Sequence, residues 1–129
     1  MIPGFEEQTH PLTDKELHVA AVVVAILRKH VGKENAIVNG RIADLCKKEG
    51  VKISLPQPRI RKIINYLIHH THPNICASGN GYYFPRDRYE FEDYLKSAKK
   101  RRDEYNSRYD VQEDYYLTKI NSSQGKLAV

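Results

Sequence analysis

Side chains that can bond to the edges of nucleic acid bases are concentrated between residues 57 and 66. Arginine can bond to O6 and N7 of guanine together, asparagine to N6 and N7 of adenine, and lysine to guanine or to phosphate. If this segment is a helix whose N-terminal half enters a major groove, Gln57, Arg59 and Lys62 are the leading candidates for base contacts. The full set of candidate DNA-binding residues is Gln57, Arg59, Arg61, Lys62, Asn65, Tyr66, Asn39 and Arg41.

The distribution of charge favours the same segment. The chain carries 21 basic and 16 acidic side chains, a net charge of +5. Residues 36–70 hold seven basic side chains against two acidic ones and so account for +5, whereas residues 1–35 contribute −1 and residues 71–129 contribute +1. A positive charge confined to one short segment is typical of a surface that binds a polyanion.

Other chemistries find little support in the residue pattern. His69, His70 and His72 are close in sequence, but adjacent histidines on a helix point in different directions and no acid or cysteine accompanies them, so we predict no metal site. The chain has no Gly-x-Ser-x-Gly motif, no glycine-rich phosphate loop and no paired carboxylates. We therefore expect neither catalysis nor a cofactor.

Two helices are predicted before the basic segment. Thr13 and Glu16 fit a capping box, and the apolar positions that follow recur every three or four residues until Gly32, which we expect to end the first helix. Residues 35–38 predict a short strand. Asn39 is then the expected N-cap of a second helix of about ten residues, which ends at Gly50.

The third helix is predicted over about residues 54–70. Ser54 is its expected N-cap, and Pro56 and Pro58 fall in the first turn, where a missing N–H group costs nothing. A single apolar face follows, which predicts the side of the helix that packs into the core. It consists of Ile60, Ile63, Ile64, Leu67 and Ile68.

The opposite face of this helix carries the candidate DNA-binding side chains. At about 100° per residue around the helix axis, measured from Ile60, Asn65 lies at about 140° and Lys62 at about 200°. Tyr66 and Arg59 flank this outer surface at about 240° and 260°, and Arg61 lies at its other margin at about 100°. We therefore expect Lys62 and Asn65 to be central to the exposed face.

A β-hairpin and a long helix complete the predicted elements. Residues 75–78 and 82–84 predict two short strands around Gly79-Asn80-Gly81, residue types suited to a tight turn. The turn has no lysine or arginine, so we expect the hairpin to close the core with Tyr83 rather than to enter a minor groove. Asp87 is the expected cap of a final helix that reaches Tyr109 or beyond.

This order of elements resembles the winged helix-turn-helix domains of prokaryotic and phage DNA-binding proteins. The resemblance spans residues 13–85, and it is closest to small phage-type proteins at Ile53-Ser54-Leu55-Pro56, at the helix Arg59-Ile60-Arg61-Lys62-Ile63-Ile64-Asn65-Tyr66, and at Gly81-Tyr82-Tyr83. It implies a mainly α fold with a small β-hairpin, in which the third helix binds the major groove of double-stranded DNA. The implied role is that of a transcription regulator or a phage replication accessory protein.

The predicted final helix has a different pattern. Its residues Phe91, Leu95, Ala98, Arg102, Tyr105, Tyr109, Gln112 and Tyr116 alternate at four and three, as in a heptad repeat. One interpretation is a homodimer formed through this helix; the other is a helix that packs in part on its own domain and is otherwise solvated. An alternative function, a protein-interaction module that uses these tyrosines, stays open.

The predicted domain organisation is an N-terminal arm (residues 1–12), a winged helix-turn-helix domain (13–86), the C-terminal helix (87–121) and a disordered tail (122–129). Cys46 and Cys76 stand among apolar neighbours, which predicts buried free thiols. Residues 1–7 lack the basic start and the apolar centre of a secretory leader, and no apolar run is long enough to span a bilayer. We therefore expect a cytoplasmic protein with no membrane partner.

Overall fold

A computed structural model describes residues 11–120. Four helices dominate it: α1 (Asp14–Leu27), α2 (Asn39–Lys48), α3 (Gln57–His70) and α4 (Arg88–Tyr115). A short 3-10 helix (Lys33–Asn35) precedes α2, strands β1 (Cys76–Ser78) and β2 (Gly81–Tyr83) form an antiparallel pair, and a π-helical turn (Tyr116–Ile120) follows α4. The described chain is thus mainly helical with a small sheet, as predicted. The predicted tail and most of the predicted arm lie outside the described residues.

Contacts divide the chain into two compact units, the first reaching to Phe91 and the second starting at Glu92. The core of the first unit is built from the facing sides of α1, α2 and α3. Every residue of the predicted apolar face of α3 is buried except Ile68, which is half-buried. The largest fully buried side chains are Leu27, Ile42, Ile60, Ile63, Ile64, Ile75, Val23, Cys46 and Cys76.

The beginning of α1 confirms the predicted capping box. The Thr13 hydroxyl accepts a hydrogen bond of 3.2 Å from the Glu16 N–H, and the Thr13 N–H donates one of 3.0 Å to Glu16 Oε1. The end of the helix was predicted too late. It lies at Leu27, and Gly32 belongs to the following turn, where its φ of 93° favours glycine.

The starts of α2 and α3 correct two predicted N-caps. Asn39 is the first residue of α2 rather than its cap, and Val38 precedes it without a side-chain hydrogen bond. Likewise Pro56 precedes α3, so Ser54 lies outside the helix, which begins three residues later than the predicted boundary. Pro58 falls in the first turn, as expected.

The small sheet is tied to the segment before α2. β1 and β2 pair with Cys76 opposite Tyr83 and Ser78 opposite Gly81, so Gly79 and Asn80 form the turn. The predicted strand at residues 35–38 is reduced to one residue, Ile37, which exchanges backbone hydrogen bonds of 2.9 and 2.8 Å with Tyr82. The hairpin is therefore held to the body of the first unit along its β2 edge.

Three further predictions have clear outcomes. Asp87 caps α4, because its Oδ1 accepts a hydrogen bond of 2.9 Å from the Glu90 N–H. Cys46 and Cys76 are buried and unbridged, and burial raises the pKa of Cys76 to about 11. Within residues 11–120, no helix combines the length and the apolar character needed to cross a bilayer.

Candidate nucleic-acid interface

The outer surface of α3 is a single stripe of exposed polar side chains. Gln57, Arg61, Asn65 and His69 are all exposed, and they follow one another at intervals of four residues. Residues four apart lie above one another on the same side of a helix. The stripe therefore presents two amides, a guanidinium and an imidazole along the length of α3.

Arg59 is not part of that surface, and the prediction that it is exposed is wrong. Its side chain is buried, with 7% of the residue accessible. Its Nε donates a hydrogen bond of 2.6 Å to Glu16 Oε2, Nη2 donates one of 2.5 Å to Glu16 Oε1, and Nη2 also donates one of 3.1 Å to the Pro11 carbonyl. A guanidinium held in this way inside the protein is unavailable to DNA, so we remove it from the interface.

The Glu16–Arg59 pair is a structural tie between the first turns of α1 and α3. The hydrogen bonds from Arg59, together with the Thr13 backbone bond, lower the pKa of Glu16 to about 2 against the opposing effect of burial. Glu16 therefore stays ionised while it is buried. The two partners are 43 residues apart, so no local pattern in the sequence predicts this ion pair.

The Glu16–Arg59 pair also explains why the exposed side of α3 is rotated around the helix axis relative to the predicted exposed face. The side of α3 that carries Arg59 faces the beginning of α1, and Lys62 and Tyr66 on that side are half-buried. The Tyr66 ring lies 4.6 Å from the ring of His70, one turn further along the helix. The helical angles predict Arg61 at the margin of the exposed face, but its side chain is exposed in the middle of the outer stripe.

A cleft of about 480 Å³ lies beside the N-terminal half of this stripe. Three elements meet there: the first residues of α2, the first turn of α3 and the tip of the hairpin. The residues that line it are Val38, Asn39, Gly40, Gln57, Arg61, Ala77, Ser78, Gly79, Gly81 and Tyr82. Three of the predicted DNA-binding residues, Asn39, Gln57 and Arg61, are thus brought together, and the contribution of the hairpin was not anticipated.

The start of α2 gives this cleft a polar edge. No side chain caps the helix, so its first N–H groups have no side-chain partner, and such groups suit an anion. Arg41 follows in the first turn with an exposed side chain. The Oδ1 atom of Asn39 is buried, and no atom of residues 11–120 forms a hydrogen bond with it. The first residues of α2 therefore bring polar groups to the cleft beside Gln57 and Arg61 of α3.

The hairpin contributes shape rather than charge. Its turn contains no ionisable side chain, and Ser78 rigidifies it: the Ser78 hydroxyl accepts a hydrogen bond of 3.2 Å from the Asn80 N–H and donates one of 3.4 Å to the Gly81 carbonyl. Tyr83 is buried, with 2% of its surface accessible, as the expected structural role requires.

The remaining electrostatics of residues 36–70 are dominated by cations. With Arg59 neutralised by Glu16, six of the seven basic side chains in this segment remain, against two acids. Five of the six are exposed and Lys62 is half-buried; the six are Arg41, Lys47, Lys48, Lys52, Arg61 and Lys62. The segment that includes the α3 stripe therefore keeps a net positive charge after the internal pair is removed.

The histidines around the end of α3 have local partners. The Nδ1 atom of His69 lies 2.8 Å from the Asn65 carbonyl, and that of His72 lies 2.7 Å from the Thr71 hydroxyl. Among residues 11–120, no three His, Cys, Asp or Glu side chains form a group that could hold a metal ion.

No family model, curated protein or solved structure matches this chain. The function of the α3 surface is therefore inferred from its residues, their exposure and their charge.

Proposed function

We propose that the first unit binds double-stranded DNA, with α3 lying in the major groove as a recognition helix. The observation that carries the proposal is the exposed stripe Gln57, Arg61 and Asn65, in the most basic segment of the chain and beside the uncapped start of α2. These side chain types are suited to base edges. The role we propose is that of a transcription regulator or a phage replication accessory protein.

The arrangement of elements supports a winged helix-turn-helix interpretation of this unit. α2 and α3 follow one another and pack against α1, and the hairpin comes directly after α3. The bridge between Ile37 and Tyr82 adds a third extended segment beside the hairpin, as a wing requires. The connection between α2 and α3 spans residues 49–56, which is longer than the three or four residues of a compact helix-turn-helix.

We assign different tasks to the residues around the cleft. Arg61, Asn65 and Gln57 are proposed to contact base edges, since they are exposed along the outer side of α3. The first N–H groups of α2 and the Arg41 side chain are proposed to contact phosphates on one flank. Lys62 and Tyr66 are half-buried, so we propose only secondary DNA contacts for them at the edge of the helix.

Binding-site selection from random duplexes, followed by fluorescence anisotropy with the selected duplex, tests this proposal. Arg61→Ala is expected to weaken specific binding by about 1–3 kcal/mol, or about 5- to 150-fold, because each base contact contributes an amount of this order. Arg41→Ala should weaken all duplexes alike and make the salt dependence less steep by about one unit of slope. Lys15→Ala, an equal loss of charge at an exposed position of α1, is the matched control and should have little effect.

Two results would overturn the assignment. The first is a selection that enriches no sequence, together with duplex binding that does not weaken as salt rises. The second is an Arg61→Ala variant that binds the selected duplex as tightly as the Lys15→Ala control does.

A second candidate function is a protein-interaction module, and the observation that favours it lies in the second unit. Tyr105, Tyr109 and Tyr116 are more than half exposed, at 60%, 52% and 55% of their surfaces. Large aromatic side chains exposed in a group are typical of a surface that contacts another protein.

A further inference from the structure

The part of α4 that belongs to the second unit is a helix without a core. α4 has 28 residues, so it is about 42 Å long, and none of its side chains is buried. Leu95, Tyr105 and Tyr109 expose between 49% and 60% of their surfaces. Helices in proteins gain most of their stability from packing one face against another element, and no face of this helix is buried in the described chain.

One face of this helix has the spacing of a coiled coil. Its residues alternate at intervals of three and four over three layers of the a and d type, which we call the α4 stripe: Leu95, Ala98, Arg102, Tyr105, Tyr109 and Gln112. At about 100° per residue these six side chains fall within an arc of about 100°, and Val111 lies on the other side of the helix. A strict seven-residue spacing of this kind favours a left-handed pairing of two helices.

The order of residue types within the α4 stripe distinguishes the two possible directions of pairing. In a parallel pair each residue faces its own copy, which would set Arg102 against Arg102 and leave a gap between two Ala98 methyl groups. In an antiparallel pair centred between Asp103 and Glu104, Tyr109 faces the small Ala98 of the second copy and Arg102 faces the Tyr105 ring. Leu95 then faces Gln112, and the twofold axis repeats each of these layers.

Two of the three antiparallel layers are chemically matched. A large ring opposite a methyl group fills the space between two helices, as close packing requires. A guanidinium over a tyrosine ring is a favourable cation–π pair, and in this layer Arg102 does not face the Arg102 of the second copy. The same six residues therefore pack more favourably in the antiparallel direction than in the parallel one, which would oppose two arginines.

The charges along α4 also favour the antiparallel direction. Residues 92–102 carry five basic and two acidic side chains, a net charge of +3, and residues 103–114 carry one basic and five acidic ones, a net charge of −4. A parallel pair would place like halves side by side. An antiparallel pair places the basic half of one helix along the acidic half of the other.

We propose that the α4 stripe binds the α4 stripe of a second copy of this chain as an antiparallel two-stranded coiled coil. This pairing also has local costs at its flanks. It brings Arg101 at the flank of one helix near the partner's Arg108, because reversing one helix sets these flanking positions opposite each other. That like-charged pair gives the proposal a sharp test of direction.

Sedimentation equilibrium of the full chain is the first experiment, and it needs no DNA, so its outcome is independent of the proposed function. We expect a species of twice the 14.9 kDa chain mass. Tyr109→Glu should give monomers, whereas Val111→Glu, the same type of change on the other side of α4, should leave the dimer intact. A wild-type monomer at tens of micromolar, or equal effects of the two substitutions, would overturn the proposal.

Cysteine pairing reports the direction. Leu95→Cys mixed with Gln112→Cys should form disulfide-linked dimers that contain one chain of each kind, and neither variant alone should cross-link. The wild-type chain is the control, since Cys46 and Cys76 are buried. Cross-linking of Leu95→Cys with itself indicates a parallel pair and refutes the antiparallel one.

Salt and charge reversal provide a third readout. Added salt should weaken an antiparallel dimer by screening the attraction between unlike halves, and it should strengthen a parallel one. Arg108→Glu should strengthen the antiparallel dimer by replacing the Arg101–Arg108 contact with an attractive pair. In a parallel dimer the same substitution would set the new carboxylate near the partner's Glu113 and weaken the pairing. An Arg108→Glu variant that dimerises less well therefore counts against the proposal.

Discussion

Removal of the Glu16 charge provides the most direct test of how the first unit positions α3. The substitution Glu16→Gln keeps the size of the side chain and a group that can bond to the Thr13 N–H, but it leaves the Arg59 guanidinium buried without a counter-charge. Breaking a buried ion pair by removing one partner costs about 3–5 kcal/mol. We expect the free energy of unfolding to fall by this amount.

The lowered pKa of Glu16 reports how strongly the folded protein favours its ionised form over its protonated form. Its value of about 2 in the folded protein lies below the ordinary value of 4.5, so the folded state favours the ionised form. The difference corresponds to about 3 kcal/mol of stability. Because the folded-state pKa is depressed, this stability is present above about pH 4.5 and is lost as the pH falls towards 2.

Chemical denaturation of the full chain at several pH values measures both effects. At pH 7, Glu16→Gln should destabilise the first unit by about 3–5 kcal/mol. Between pH 5 and pH 2, the wild-type protein should lose about 3 kcal/mol more than the variant does, since the variant has no carboxyl group at this position to protonate. The difference between the two curves removes the contribution of the other acids.

Glu34→Gln is the matched control. Glu34 pairs with Arg86, but both side chains are more than half exposed, at 54% and 57%, and an exposed pair of this kind contributes less than about 1 kcal/mol. Equal destabilisation by Glu16→Gln and Glu34→Gln would refute the reasoning. So would a Glu16→Gln variant whose stability falls with acid as steeply as that of the wild-type protein.

Three other predictions follow from single residues. At a temperature where both variants are folded, Arg59→Met should keep the wild-type affinity for the selected duplex and Arg61→Ala should lose it, as anisotropy would show; equal losses would restore Arg59 to the interface. Gly81→Ala should lower the free energy of unfolding by about 1–3 kcal/mol, because φ is 116° at this residue and an added Cβ would overlap the Ile37 carbonyl. Gly79→Ala is the control: the space around Gly79 is open, so this substitution should change the melting temperature little. Cys76 should react with a thiol reagent at neutral pH only after denaturant is added, because burial raises its pKa and hides the sulfur; rapid labelling of the folded protein would contradict its burial.

Local features of the fold could be predicted from the sequence because they depend on residues close together in the chain. The capping box at Thr13 and Glu16, the Asp87 cap and the tight turn before Gly81 each involve residues within four positions of one another. The apolar face of α3 was likewise predictable, since its residues recur with the helical period. These features were sufficient to predict the order of the elements and the buried side of α3.

The composition of the candidate site was predictable only in part. The residue types and the order of α2 and α3 named Asn39, Gln57 and Arg61 as candidates, but the cleft that these residues share depends on how α2, α3 and the hairpin pack. The helix starts were harder to predict, because asparagine and serine are favoured caps but backbone geometry at Val38 and Pro56 determines where α2 and α3 begin.

By itself, then, the sequence determined the helical and hairpin segments, their apolar faces and the concentration of positive charge between residues 36 and 70. Tertiary structure alone decided which cations of α3 face outwards. Arg59 and Arg61 are the same residue type two positions apart, yet one is buried against Glu16 and the other is exposed. Periodicity gives only the angle of a side chain around its own helix, whereas burial depends on which element packs against that side. For Arg59 that element is the first turn of α1, 43 residues away along the chain.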